Sequence, residues 1–354
     1  MLLTESNFED EKILLRLFLA RMTFLSLQEK KKFENNIDSA SQIALMSIEE
    51  IGNFVNRKIS SRAQWDGKEN LRCAKITAYK CKSQKFEILH IDDEEYPELL
   101  RQIPDAPYIL FCRGNIEALK GRFVSVVGTR RITPEGRAVT KQFAYEAAMD
   151  GCNVVSGLAV GVDGNAHQGA VDAFFDTDEK GGDTSAVGKT VAVMPSAIDE
   201  IVPNGQKNLA QQILKTGGCL ISEYEPGEEL ANWHYVGRNR IIAGLSPATV
   251  VIEAPAGSGA LITADFAVDY NRDLFFHEAA FGKMADEVAH LVEDDLEKRF
   301  ASGRVSKYKI ENRPEKFLKD GAGVIKNYKD YCNALTEMPG QRSSNIVQQK
   351  LFEE

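Results

Sequence analysis

The sequence predicts an α/β fold in which a small helical domain precedes a doubly wound, mostly parallel sheet. Three observations predict it. From about residue 122 onwards, short apolar runs alternate with segments of helical periodicity. The first of these runs, Phe123–Val127, is apolar apart from one serine, as is typical of a strand buried on both faces. The chain of 354 residues is also too long for one ordinary domain.

Composition and charge exclude several classes of protein. A hydrophobic fraction of 43% and a charged fraction of 27% are globular values, which excludes disorder throughout. The apolar stretch at 13–25 is interrupted by Arg16 and Arg21, so no membrane span is predicted. The first residues carry no basic segment, and no signal peptide is expected. The six cysteines lack CxxC spacing, which favours reduced thiols in a cytoplasmic protein and no metal site.

The apolar spacing in the first 85 residues predicts a small domain of short helices. Apolar residues between Ile13 and Phe18 recur at helical spacing and form one face. Further helices are predicted at 28–33 and 48–54. Residues 108–112, within a proline-rich connecting stretch, predict a short strand.

The alternation after residue 122 defines the main domain, predicted over 86–337. Strands are predicted at 123–127, 153–155, 190–194, 219–224, 249–253 and 273–276. Helices are predicted at 136–149, 163–175, 206–216, 238–245 and 259–270. Parallel sheets of this kind bind ligands beyond the carboxyl ends of their strands, so the loops that follow these strands are expected to line a site.

Three further segments complete the organisation. Residues 176–189 are rich in glycine and aspartate and predict a surface loop. Residues 281–312 are charged and predict helix without a clear strand. Residues 338–354 predict a polar C-terminal tail.

The loop after the first strand of the sheet, Gly128-Thr129-Arg130-Arg131, predicts a phosphate site. Glycine lets a ligand approach the backbone closely, and the free N–H groups and dipole of the following helix favour an anion. The two arginines add charge that does not titrate away. The alternative is a turn that carries two solvated arginines.

Two nucleotide-binding motifs are absent from the chain. GxGxxG is missing from the first loop, and the second strand ends in Ser156-Gly157 rather than in an acidic residue, which disfavours a nicotinamide dehydrogenase. The GKT triplet that begins at Gly188, with Gly182 upstream, is one residue too far along for a P-loop. It also leads into a strand rather than a helix, which disfavours an ATP site.

A second group of cations lies in Arg238-Asn239-Arg240, which the pattern places at the start of a helix. Two arginines around an asparagine offer forked donors to phosphate oxygens, and the alternative is a pair of surface salt bridges. The aromatic residues just before them either stack on bases or pack internally. These aromatic residues are Trp233, His234 and Tyr235.

A third helix start, at Ser258-Gly259, has small residues that let a ligand come close, and Thr263 adds a hydroxyl one turn later. Three anion-suited loops at one edge of a sheet indicate a polyanionic or multi-phosphate ligand.

No nucleophile–base constellation accompanies these loops. Ser156 has no positioned histidine and no GxSxG motif. Asp163 and His167, four residues apart on one helix face, are interpreted as an N-cap and a buried histidine in preference to a catalytic or metal pair. Glu223 and Glu253 end strands near the site, so carboxylate chemistry stays an alternative.

The segments GTRRITPEG, VVSGLAVGVDGNAH, LISEYEPG, GRNRIIAGLS and APAGSGALITADFAV, in this order, resemble the DprA/Smf family of DNA-processing proteins. The resemblance runs from about 90 to 277, with a similar lead-in and closing segment. It implies a Rossmann-like DNA-binding domain after an N-terminal helical domain of SAM or helix-hairpin-helix type.

The function that the resemblance implies is non-enzymatic. Such proteins bind single-stranded DNA in a basic pocket, form dimers, protect incoming DNA and load the RecA recombinase in natural transformation. By motif position, Arg130 grips a phosphate. The whole implied DNA-binding set is Gly128, Thr129, Arg130, Ser156, Gly157, Lys207, Arg238, Asn239, Arg240, Ser258, Gly259 and Thr263.

The chain also departs from the family pattern. About thirty extra residues separate the last predicted strand from the closing segment, and this insertion has no assigned role. The enzymatic alternative is a phosphoribohydrolase-like enzyme that acts on nucleotides, with Glu223 or Glu253 as the catalytic carboxylate. The PGGxGTxxE string of that group is absent, and APAGSGALITAD stands in its place.

The net charge of -9 argues against binding nucleic acid by bulk charge. The segment between Lys120 and Lys141 is nevertheless basic, with Glu135 as its one acidic residue. A globally acidic chain with one basic edge is expected to bind a nucleic acid in a defined groove and to repel it elsewhere.

Overall fold

The computed structural model describes residues 5–60 and 65–336. The chain divides into two compact units. One comprises Met1–Glu94 with Pro107–Phe111, and the other comprises Glu95–Ala106 with Cys112–Glu354. The expected polar tail at 338–354 lies outside the described residues. In the part of the chain that the structure describes, no helix has the length and apolar character needed to cross a membrane.

The first unit is mainly helical, as the apolar spacing predicted. Its elements are α1 (Glu5–Ala20), α2 (Leu27–Asn36), α3 (Ala40–Ile43), α4 (Ile48–Phe54), α5 (Gly67–Gln84) and β1 (Glu87–His90). Two helix starts are fixed by reciprocal capping boxes, Ser26 with Glu29 and Ser47 with Glu50.

The second unit contains the main sheet. Its strands are β2 (Ile109–Gly114, shared with the first unit), β3 (Phe123–Val127), β4 (Asn153–Ser156), β5 (Thr190–Val193), β6 (Cys219–Ser222), β7 (Ala248–Val251), β8 (Asp273–His277) and β9 (Gly323–Ile325). Its helices are α6 (Glu98–Arg101), α7 (Pro134–Met149), α8 (Val162–Glu179), α9 (Lys207–Lys215), α10 (Asn232–Leu245), α11 (Gly259–Asp269), α12 (Lys283–Ala301), α13 (Lys307–Glu311), α14 (Pro314–Lys319) and α15 (Tyr328–Thr336). Short 3-10 helices lie at Ile116–Leu119, Asn204–Gln206 and Glu278–Phe281.

Seven of the strands pair in parallel in the order β6-β5-β4-β3-β7-β8-β9, which confirms the predicted doubly wound sheet. Ser125 of β3 is in register with Val155 on one side and with Thr249 on the other. The chain leaves β3 towards β4 and returns on the opposite side with β7. This change of direction is the point at which doubly wound sheets bind ligands, and it brings the loops after β3 and β7 together.

The core forms where β3, β4 and β7 meet the helices that cross them. Val124, Val154 and Val250 are fully buried there with Phe143 of α7 and Phe275 of β8. These residues are the apolar positions that the strand and helix patterns selected. All six cysteines are free thiols, and four of them are buried.

Three predicted boundaries were wrong. α8 runs on to Glu179, so the predicted surface loop at 176–189 begins inside a helix. α10 begins at Asn232, six residues before the expected start. Asp163 is not an N-cap, because Gly161 holds that position with a φ of 87° that favours glycine. The charged region at 281–312 is helical, as expected, and contains α12 and α13.

Candidate functional site

A cavity of about 440 Å³ lies at the carboxyl ends of β3 and β7. The loop after β3 forms one side, α10 and the N-terminus of α11 form the next two, and α12 forms the last. This volume lies within the range of ordinary small-ligand pockets. The cavity sits at the change of strand direction, where the sequence placed the site.

The loop after β3 is held rigidly by backbone contacts. The Thr129 amide donates to the Glu253 carbonyl (2.6 Å), and the Thr129 carbonyl accepts from the Val162 amide (3.1 Å). A β-carbon at Gly128 would lie 2.4 Å from a Val162 methyl carbon, so only glycine fits there. The Thr129 hydroxyl accepts from the amide of Arg131 (3.0 Å). The loop therefore presents its arginines from a fixed backbone.

The arginines of this loop, Arg130 and Arg131, both line the cavity. Among the described residues neither guanidinium forms a salt bridge. Arg130 lies 5.3 Å from the centre of the Tyr235 ring, which also lines the cavity. Their positive charge is therefore available to an anionic ligand.

Arg238 is the unusual residue of the site. It is 4% exposed, lines the cavity, and its Nε and Nη1 have no hydrogen-bond partner among the described residues. Burial lowers the pKa of Arg238, while the nearby Asp163 opposes that effect. A buried guanidinium with unmet donors is costly unless an anion completes it. The site therefore contains a buried cation two of whose donor atoms have no hydrogen-bond partner among the described residues.

Asp163, in the first turn of α8, is the buried carboxyl next to this cation. Burial raises the pKa of Asp163, and Arg238 and Arg130 work in the opposite direction. No salt bridge joins Asp163 to Arg238 within the part of the chain that the structure describes. Asp163 therefore leaves the guanidinium donors free.

The N-terminus of α11 forms the second anion-suited element. The Ser258 side chain caps the helix by accepting from the Ala260 amide (3.3 Å). A β-carbon at Gly259 would meet nothing within 4 Å, so the backbone there is open. Asn239 fixes this turn by donating to the Gly259 carbonyl (3.1 Å). The positive end of the helix dipole thus faces the same cavity as the arginines.

The cavity brings together eight of the predicted binding residues. They are Gly128, Thr129, Arg130, Arg238, Asn239, Ser258, Gly259 and Thr263.

Two predicted residues lie behind the cavity rather than in its lining. The Ser156 hydroxyl is buried and donates to the Val126 carbonyl (2.6 Å). Gly157 supports Arg238, because a β-carbon there would lie 1.4 Å from the guanidinium Nη1.

Two others are placed elsewhere. Arg240 forms salt bridges with Glu223 (2.8 Å) and Asp105 (3.2 Å), so the salt-bridge alternative describes this residue. Its neighbours Arg238 and Asn239 face the cavity, and successive helical residues are rotated by about 100°, which turns Arg240 away. Lys207 lines a separate cavity of about 310 Å³.

The expectation that these arginines open a helix was wrong. α10 begins at Asn232, so Arg238 and Asn239 act through their side chains from the second turn, not through a helix N-terminus. Of the preceding aromatic residues, His234 is buried and stacks on Tyr224 at 3.8 Å, whereas Trp233 is exposed. Only Tyr235 of the three lines the cavity.

The candidate catalytic groups are held in structural contacts. Glu253 accepts from the amide and the hydroxyl of Thr133, the N-cap of α7. His167 is buried, its Nδ1 lies 2.7 Å from the Thr190 hydroxyl, and its Nε2 accepts from the Leu158 amide. Burial lowers the pKa of His167 to about 3, so this histidine is neutral. The buried-histidine interpretation fits these contacts.

One group in the first unit offers metal-ligand atoms at close range, namely Glu34, His90 and Asp92. Arg16 already occupies the Glu34 carboxylate at 3.0 Å, and a guanidinium there repels a cation. The chemistry of this group therefore argues against a metal centre.

The fourth side of the cavity was not predicted from the sequence. It is formed by residues of α12 and α13, within the region to which no role was assigned. The only signal was a set of apolar positions in an otherwise charged helix. The residues on this side are Leu291, Val292, Asp295, Leu296, Arg299 and Lys309.

Known proteins of one family are similar to this chain. The family described as DNA recombination-mediator protein A matches residues 87–335. The DNA processing protein DprA of Streptococcus pneumoniae is 36% identical over 212 residues, which cover 60% of this chain and 70% of that protein. Protein Smf of Synechocystis sp. is 34% identical over 245 residues, or 68% of this chain, and the match spans 56% of that relative's length.

Two solved structures are similar. The X-ray structure of DNA processing protein A from Streptococcus pneumoniae has a TM-score of 0.62 at 25% identity, and the match covers 94% of this chain and 98% of that one. A structure of DNA processing protein A from Helicobacter pylori has a TM-score of 0.52 at 25% identity, covering 71% of this chain and 95% of that one. The latter structure concerns the single-stranded DNA binding mode of that protein.

Proposed function

The chain belongs to the DNA recombination-mediator protein A family, and from this premise we propose that it binds single-stranded DNA in the cavity at the ends of β3 and β7. One observation carries the proposal. Arg238, a buried cation whose Nε and Nη1 have no partner among the described residues, lines the same cavity as Arg130 and Arg131. A phosphodiester supplies the missing negative charge and two acceptor oxygens.

Two elements suited to phosphate line the cavity. The arginines offer charge, and the open turn at Gly259 offers the positive end of the α11 dipole. The groups suited to phosphate are backbone amides, guanidinium groups and small polar side chains. Such contacts hold a sugar–phosphate backbone without reading base identity. We therefore expect little sequence preference.

The shape of the cavity favours a single strand. Loops and helices surround it on four sides, and its volume of about 440 Å³ suits a small group such as one nucleotide. A duplex presents its phosphates on the outside of a wide cylinder that this space does not admit. The single-stranded DNA binding mode of the Helicobacter pylori relative supports the same choice.

The proposed action is binding without chemistry. Glu253 is held by Thr133 and Glu223 by Arg240, so neither carboxylate is free to act on a ligand. An enzymatic alternative now depends on Asp163, the buried carboxyl that lines the cavity. Release of free base from nucleoside 5′-monophosphates, abolished by Asp163→Asn, would support that alternative.

The wider role is proposed from the family resemblance. In that role the chain protects incoming DNA during natural transformation, forms a homodimer and loads RecA recombinase. Measurement of the molar mass of the protein in solution tests whether it forms a homodimer. Filament assembly of RecA on DNA covered by a single-strand-binding protein, with and without this chain, tests the loading.

Binding itself is tested by mobility shift with a fluorescent oligo-dT and a duplex of equal length. We expect the single strand to shift at protein concentrations well below those that shift the duplex. Equal binding of both, or binding of neither at low salt, would contradict the proposal.

A further inference from the structure

The wall of the cavity formed by α12 carries three apolar side chains beside Asp295 and Arg299. Leu291, Val292 and Leu296 all line the cavity from this helix. Leu296 is buried, but Leu291 is 73% exposed despite its size. A large apolar side chain left open beside a ligand cavity gains free energy when a ligand covers it.

This wall is fixed to the anion-binding turn. The Gly257 amide, next to the α11 cap, donates to the Asn312 carbonyl (3.0 Å) at the end of α13. Asp265 of α11 accepts from the side chains of Tyr308 and Asn312. On the far side, Glu293 of α12 pairs with Arg313 (3.0 Å). The insertion is therefore bonded to the same helix whose N-terminus faces the cavity.

The two sides of the cavity differ in the number of cationic side chains without a salt bridge. Arg130, Arg131 and Arg238 have no salt-bridge partner in the part of the chain that the structure describes, and they lie on the β3 and α10 sides. On α12 the one arginine in the lining, Arg299, pairs with Asp295 (3.5 Å), so Lys309 of α13 is the one cation on that side without a salt bridge among the described residues. A phosphate is drawn to the arginine side, so the base attached to it is directed towards α12.

We propose that α12 is a base-contacting wall of the single-stranded DNA site, with Leu291 as its principal contact. The proposal rests on the proposed function and adds a second class of contact to it. Phosphates bind the arginines, and one nucleobase packs against Leu291 and Val292. Leu291 and Val292 have no hydrogen-bonding side-chain atoms, so their contact with a base does not depend on which base it is.

The test compares two probes of equal length, oligo-dT and an abasic oligonucleotide that keeps the sugar–phosphate backbone but has no bases. Wild type is expected to bind oligo-dT more tightly than the abasic strand. Leu291→Ser should weaken oligo-dT binding about tenfold, the equivalent of one buried leucine side chain, and leave abasic binding unchanged. Unchanged abasic binding also shows that the variant is folded.

Phe300→Ser is the matched control, since Phe300 is an exposed apolar residue of α12 outside the cavity. It should bind both probes as wild type does. The inference is overturned if Leu291→Ser keeps the full preference for oligo-dT, or if wild type binds both probes equally. Binding of neither probe by wild type would defeat the proposed function, and this inference with it.

Discussion

The guanidinium of Arg238 lies directly against the backbone of Gly157. A β-carbon on Gly157 would be 1.4 Å from Nη1 and 2.4 Å from Cζ, so the absence of a side chain there leaves room for the guanidinium group. The loop after β4 therefore packs against helix α10, and its glycine positions the cation of Arg238 at the cavity.

Gly157→Ala should therefore displace Arg238 and weaken single-stranded DNA binding. We expect a loss of about tenfold or more, because the donors that meet the phosphate move out of line. Gly205→Ala is the control, since a β-carbon at Gly205 meets nothing within 4 Å. Anisotropy titration with oligo-dT measures the DNA affinity of both variants. Equal affinity of the two would contradict the claim that Gly157 positions Arg238.

Arg238→Met should separate binding from stability. Loss of a buried charged partner to phosphate is expected to weaken DNA binding by about 2 kcal/mol or more, roughly 30-fold. The free protein should change little in stability, because replacing a buried cation with unmet donors by an apolar side chain offsets the loss of its attraction to the buried Asp163 carboxyl. Thermal unfolding with and without oligo-dT measures both effects. A large loss of stability without DNA would contradict the account.

Arg240→Met should lower the stability of the protein without weakening DNA binding. Arg240 is paired with Glu223 and Asp105, so its removal leaves the Glu223 carboxylate without its cation, while Asp105 keeps the hydrogen bond from the Tyr270 hydroxyl. We expect the free energy of unfolding to fall by up to about 3 kcal/mol, discounted where solvent reaches the pair. DNA affinity of the folded protein should stay close to wild type. A selective loss of DNA affinity would place Arg240 in the binding site after all.

His167 predicts a pH dependence of stability. Burial lowers its pKa in the folded protein from 6.5 to about 3, so the unfolded chain takes up the proton first as the pH falls. The stabilisation from neutral His167 is complete above pH 6.5 and is lost towards pH 3, by about 1.4 kcal/mol per pH unit. Urea unfolding at pH 7, 6 and 5 should show this slope in wild type and a flatter one in His167→Gln. Equal slopes would exclude His167 as its source.

The sheet was predictable because its strands are short, apolar and separated by amphipathic helices. Phe123–Val127 was predicted to the residue, since a strand buried on both faces has no polar position to blur its ends. The position of the loop after it was predictable for a related reason, because loops at the carboxyl ends of parallel strands line the ligand-binding edge of such a sheet.

The orientation of side chains around a helix was not predictable from the motif alone. Arg238 and Arg240 look equivalent in sequence, but α10 begins six residues earlier than expected and turns one towards the cavity and the other towards Glu223. The role of α12 was hidden for another reason. Leu291 reaches the cavity only through tertiary packing of an insertion, and no local pattern encodes that placement.

The salt dependence of oligo-dT binding tests the central claim most directly, when wild type is compared with the Arg130→Ala, Arg131→Ala double variant. Each phosphate contact contributes about 0.7 to the slope of log K against log salt for single strands, so the double variant should lose about 1.4 from the slope. The loss should be the same for every homopolymer. Arg137→Ala, an exposed arginine of α7 outside the cavity, should keep the wild-type slope. A double variant with the affinity and slope of wild type would contradict the account.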